Sequence, residues 1–262
     1  MDPLVNRAED ALAAAVRRLG KSGFEAALMA LFQRLANPDN LLILAYRDAG
    51  APQVIYAEAG DSPVFSALPT TYLAGAYLLD PCHGLHLTRV PAGLYRLLDV
   101  APDAFQRSRY YVEYYQGTTL IDELTFVAYP APGVSLNICL GRDLTSDQVF
   151  SAREVEALER LTSVVLALAE VHWAGLTGAA AAPADIAAEL VAALAPQGIQ
   201  LSPRQAEVAL LILRGHSSTS IALRLGVSVQ TVKVFRRQLY GKCGISSQAE
   251  LFALMLPLLR PV

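Results

Sequence analysis

Between Leu201 and Gly244 the chain is punctuated at a spacing that leaves few choices of fold. Ser202-Pro203 opens a segment that Gly215 closes, Ser217 opens a second that Gly226 closes, and Ser228 opens a third. A serine side chain satisfies orphan N–H groups at a helix start, and proline is tolerated at the first helical position. Glycine takes the positive φ on which helices commonly end. The pattern predicts short helices joined by tight turns, the second running from about Ser217 to Leu225. In the third, Val232, Leu239 and Cys243 share one stripe, while Gln230, Lys233, Val234, Arg237 and Gly241 share the opposite one.

The charge distribution says what the second stripe could meet. The 262 residues carry a net charge of −3, unevenly spread. Residues 201–262 hold eight Lys/Arg against Glu207 and Glu250, a net +6, which leaves −9 on residues 1–200. An acidic body with a small basic tail implies a nucleic-acid binder joined to a separate module.

The run Leu201-Ser-Pro-Arg-Gln-Ala-Glu207-Val208, Leu210-Leu211, Gly215, Ile221-Ala222, Leu225-Gly226-Val227-Ser228, Thr231-Val232-Lys233, Lys242, Gly244-Ile245 and Ala249-Glu250-Leu251 resembles the LuxR/FixJ-type helix-turn-helix of bacterial transcription regulators. The resemblance implies an all-α four-helix DNA-binding domain with its third helix in the major groove. On that helix Lys233 and Arg237 can reach base edges or phosphates, Gln230 lies beside them, and Val234 can pack on a thymine methyl. Ser228, Thr231, Arg236, Lys242 and the Ser217-Ser218-Thr219 start of the second helix suit phosphates. Ser218-Thr219-Ser220 stands where the family usually has Asn-Lys-Glu, Phe235 where it has His and Cys243 where it has Leu. These departures bear on the operator sequence rather than on the class.

Upstream, apolar periodicity predicts two helices over residues 5–35, and hairpins around Ala49-Gly50-Ala51-Pro52 and Pro130-Ala131-Pro132-Gly133. Residues 63–79 are expected to be helical after Pro69, and Pro102–Gln116 is expected to be a helix. A long helix opens at Ser146 or Ser151, with Glu154 in capping-box position. Its stripe from Val155 to His172 suits either a symmetry mate or the chain's own sheet. This order fits an α+β sensor, a sheet flanked by helices, resembling GAF/PAS or autoinducer domains. The expected domains are a sensing and dimerisation domain over 1–173, a linker with a short helix over 174–198, and the helix-turn-helix domain over 199–262.

Ten of eleven tyrosines precede residue 130. Tyr72, Tyr77, Asp80, Cys82, His83, Tyr111, Tyr115, Asp122 and Glu123 are the candidate effector-binding residues, with Tyr110 and Tyr114 in the same cluster. Aromatic rings with a few acids suit a small ligand with a cationic or polar head; a tyrosine-rich core or dimer face is the alternative. Nothing before residue 173 matches a receiver domain's phospho-acceptor pattern. Acyl-homoserine-lactone receptors of the resembled family carry pocket tryptophans, whereas the single tryptophan here, Trp173, falls at the end of the sensor, which disfavours that reading and leaves it as an alternative.

Asp80, Cys82 and His83 on one loop do not make a catalytic or metal set, so no enzyme, metal or cofactor is expected. Cys82 would serve as a redox sensor only with a lowered thiol pKa. The uncharged window Ser62–Leu79 contains Pro63 and Pro69 and is no membrane span, and the start lacks a signal peptide, so a cytoplasmic protein is expected. The expected partners are an operator in double-stranded DNA, a small-molecule effector, a second copy of the chain and RNA polymerase. A sensor that binds a protein partner, and an enzyme fused to a DNA-binding tail, are the competing possibilities.

Overall fold

Glycines at positive φ, Gly20 and Gly23, divide the first two helices, α1 (Pro3–Arg17) and α2 (Phe24–Leu35). The structure is a computed structural model and describes residues 3–47, 51–73, 75–177 and 186–255. The tip of the first expected hairpin, most of the small-residue linker and the tail beyond Met255 lie outside the described residues. β1 (Asn40–Arg47) and β2 (Gln53–Glu58) form the first hairpin; β4 (Leu120–Ala131) and β5 (Val134–Asp143) form the second. With β3 (Gly93–Arg96) they make one antiparallel sheet in the order β2-β1-β5-β4-β3.

Strand periodicity sorts the core into two layers. Leu41, Ile43, Leu124, Phe126, Leu136 and Ile138 point to one face, where α1, α2 and the long helix α6 (Ala152–His172) cover them. The stripe predicted on α6 packs there, within the same chain: Leu158 and Val165 are fully buried, with Leu168 and Ala169 beside them. Ser151 and Glu154 close the capping box that starts this helix. Trp173 packs edge-on to Phe24 on the same face.

The opposite face is irregular. The helix expected after Pro69 is broken: residues 63–79 form three short turns, at Pro63–Phe65, Leu68–Tyr72 and Ala76–Leu79, and Gly75, at φ 144, interrupts the span. After α3 (Pro81–Thr88) and the single turn α4 (Leu97–Val100), the helix expected over Pro102–Gln116 is also broken. It becomes a turn at Phe105–Arg107, α5 (Arg109–Glu113) and a turn at Tyr115–Thr118. Ser108 causes the break by capping Tyr111 N–H inside the span, and Thr119 ends it at φ 66.

The C-terminal helices follow the serine and glycine punctuation. After α7 (Ile186–Leu194) come α8 (Pro203–Leu213), α9 (Ser218–Leu225), α10 (Val229–Cys243) and α11 (Gln248–Met255). Ser202, Ser217 and Ser228 each accept a backbone N–H at their helix start, and Gly226 and Gly244 end α9 and α10 in the left-handed region. The sensor is thus α+β and the tail all-helical. One apolar cluster runs without a break from Tyr46, Tyr72 and Tyr110 into Val208, Ile212 and Leu251 of the helical domain.

Candidate nucleic-acid interface and effector cavity

On α10, Val232 and Leu239 are fully buried against the other helices, which fixes the opposite face outward. Gln230, Lys233 and Arg237 stand exposed on that face and Val234 is half-buried beside them. The Ser228 and Thr231 hydroxyls bond each other at 2.7 Å at the helix start. Arg236 lies over the Tyr240 ring, 5.1 Å from its centroid. Lys242 is engaged elsewhere: its Nζ donates to Gln200 O at 2.7 Å and to Gln205 Oε1 at 2.8 Å, tying the end of α10 to the start of α8.

Two sensor groups grip the α8–α9 corner. Arg214 Nε donates to the Leu78 carbonyl at 3.0 Å, and Ser217 N–H donates to Asp103 Oδ1 at 3.1 Å. The Ser217 hydrogen bonds hold the Asp103 carboxyl below its usual range. Gly215, at φ 92 between these contacts, sits so close to Ser108 and Phe105 that a Cβ there would meet Ser108 Cβ at 3.0 Å. Ser218 is half-buried and Thr219 exposed on the turn that follows. Neither the Asp103 nor the Arg214 contact is legible in the sequence, because the partners are 114 and 136 residues away.

The cavity on the irregular face of the sheet is lined by Tyr72, Tyr110, Tyr114 and Tyr115, with Asp80, Glu123, Thr118 and Cys139, and by apolar groups including Phe65 and Leu68. Strand alternation explains which acids reach it. Glu123 and Cys139 point to this side, whereas Asp122 points to the helical side. There Asp122 takes Arg96 Nε at 3.0 Å and Nη2 at 2.5 Å, and accepts Phe150 N–H at 3.0 Å.

Asp80 accepts the Tyr72 hydroxyl at 2.6 Å and Cys82 N–H at 2.8 Å; burial pushes its carboxyl up to about 6. Glu123 Oε1 accepts Thr125 Oγ1 at 3.1 Å and Cys82 Sγ at 3.4 Å; burial and then the Asp80 charge push it up to about 7. Cys82 is buried against these acids, and burial raises its thiol well above the usual value, the opposite of what a reactive thiol needs. His83 is buried between the Tyr46 and Tyr77 rings with neither ring nitrogen bonded; burial lowers its pKa, so it is held neutral. Tyr77 is buried beside it, and Tyr111 stacks on Tyr115. Of the sequence candidates, Tyr72, Asp80, Tyr115 and Glu123 line the cavity; Tyr77, Cys82, His83, Tyr111 and Asp122 stand behind or away from it. Among the described residues no cluster of His, Cys, Asp and Glu could hold a metal ion, and no helix is long and apolar enough to cross a membrane.

Residues 199–255 match the family model of bacterial regulatory proteins of the luxR family. An HTH-type transcriptional regulator from the exeN 3' region of Aeromonas salmonicida is 32% identical over 174 residues, 64% of this chain and 88% of that protein. The LBD domain of VqsR from Pseudomonas aeruginosa superposes with a TM-score of 0.55 at 22% identity, over 64% of this chain and 98% of that one, a likeness of fold. SdiA of Escherichia coli reaches a TM-score of 0.44 at 15% identity over 97% of both chains. The capped α8–α11 unit and the outward basic face of α10 agree with the family match and the Aeromonas relative, and the chain belongs to the luxR family of helix-turn-helix transcriptional regulators.

Proposed function

We propose that this DNA-binding regulator is switched by a small organic effector held in the tyrosine-lined cavity, that it acts on its operator as a homodimer, and that it has no catalytic activity. The domains are those expected from the sequence, 1–173, 174–198 and 199–262. The observation that carries the coupling is a shared wall. The Leu78 carbonyl is held by Arg214 of the helical domain, and Asp80, two residues on, faces the cavity. An occupant that shifts this wall shifts the α8–α9 corner with it, which meets the requirement that an effector act through differential contacts in two states.

The DNA-reading face of α10 is Gln230, Lys233, Val234 and Arg237, flanked by Thr231 and Arg236. Lys233→Ala and Arg237→Ala are each expected to weaken operator binding by about 1–3 kcal/mol, read by fluorescence anisotropy of labelled DNA. Unchanged binding in both variants would remove this face from the interface.

The Asp103 contact supplies the sign of control. Its carboxylate occupies the α9 N-terminus, where Ser217, Ser218 and Thr219 would otherwise meet a phosphate. Asp103→Ala is expected to raise the DNA affinity of the effector-free full chain several-fold, toward that of a 199–262 fragment, which lacks this contact. Equal affinities for the full-length wild type and variant would discard this clasp.

A further inference from the structure

Two carboxylates face the effector cavity. Glu123 rises from the sheet at its floor and Asp80 stands in its wall. Among the described residues no lysine, arginine or histidine lines it. Tyr110 is 3% exposed beside this space and feels both carboxylates. The Tyr72 and Tyr114 rings flank the same space with centroids 5.6 Å apart. Two half-buried like charges facing one cavity destabilise each other, and each is costly without a counter-charge. A cation between them would relieve both costs, and tyrosine faces attract it further. The space measures about 50 Å³, room for a head group of a few heavy atoms but not for a long chain in the same position.

We propose that the effector presents an organic ammonium head, seated between Glu123 and Asp80 against the rings of Tyr72 and Tyr114, with the Tyr110 hydroxyl as a further partner. This rests on the cavity being the sensing site, as proposed above. The other titratable groups facing the carboxylates are the Cys82 and Cys139 thiols and the Tyr72, Tyr110, Tyr114 and Tyr115 phenols. Burial raises all six, so they stay neutral near pH 7. Only the acid pair titrates there. A bound cation stabilises its ionised form, so binding releases protons and strengthens as pH rises from about 6 to about 8.

Calorimetric titration of the full chain with propylammonium and with 1-propanol, which have equal heavy-atom counts, tests the charge directly in the wild type. Propylammonium is expected to bind at least tenfold tighter, with proton release across buffers of different ionisation enthalpy. Glu123→Gln is expected to erase that preference and spare propanol binding. If propanol or N-butanoyl homoserine lactone binds as tightly as propylammonium or tighter, and Tyr110→Phe weakens that binding, the cavity is a sensing site for neutral ligands and the ammonium assignment falls alone. If none of the three binds the folded chain, the ammonium assignment falls and the cavity loses its support as the sensing site.

Discussion

Replacing Leu158 and Val165 together by glutamate is expected to abolish the folded sensor rather than dissociate an oligomer. Both side chains are fully buried between α6 and the sheet, among Leu124, Phe126 and Leu28. An ionised carboxylate left unpaired in such a place costs several kcal/mol, and two approach the whole stability of a domain, about 5–15 kcal/mol. Circular dichroism and thermal unfolding read the result, and a variant that keeps its native spectrum and melting temperature would contradict this packing. The contrasting pair is Val164→Glu with Val171→Glu. These residues are 36% and 63% exposed on the outer face of α6, so the fold is expected to survive. If the proposed homodimer pairs through that face, sedimentation of this second variant will show monomers.

Asp122→Ala is expected to cost about 3–5 kcal/mol, the range for breaking a buried ion pair by removing one partner. The Asp122 side chain is fully buried and holds two separate groups, the Arg96 guanidinium through two nitrogens and the Phe150 N–H. The Arg96 guanidinium is 31% exposed and recovers hydration, which favours the lower end. The Phe150 N–H cannot, and an orphaned buried donor alone costs about 1–3 kcal/mol. Chemical denaturation with an unchanged slope and a shifted midpoint is the expected signature. A shift below about 1 kcal/mol would show that Arg96 and the Phe150 loop are held by other contacts. Asp122→Asn, which keeps an acceptor oxygen, is expected to lose less.

The helical tail was legible because its signals are local. Ser202, Ser217 and Ser228 cap the residues three positions on, and Gly226 ends α9 through its own φ. The irregular face of the sensor was not, because tertiary contacts decide it. The tyrosines at 110, 111, 114 and 115 have helical spacing, yet Ser108 caps inside the run and the aromatic packing with Phe105 draws the chain into turns. β3 was missed for a similar reason. Its four residues, Gly93–Arg96, are half-buried at a sheet edge and are held by pairing with β4 and by the Arg96–Asp122 bridge rather than by any period of their own. Asp122 and Glu123 look like a pair in the sequence; the pleat sends them to opposite faces.

That pleat also sets how this regulator can change its taste. The floor of the cavity belongs to paired strands, where Glu123 sits two residues from Thr125, and Thr125 lies opposite Cys139 across the hairpin. The wall is made of turns that also hold the α8–α9 corner through Leu78 and Asp103. In the proposed switch, substitutions on the floor would therefore retune which molecule is recognised while leaving the link to DNA intact. Substitutions on the wall alter recognition and response together. A lineage of such sensors can diversify its chemical inputs one strand residue at a time, without having to rebuild the switch.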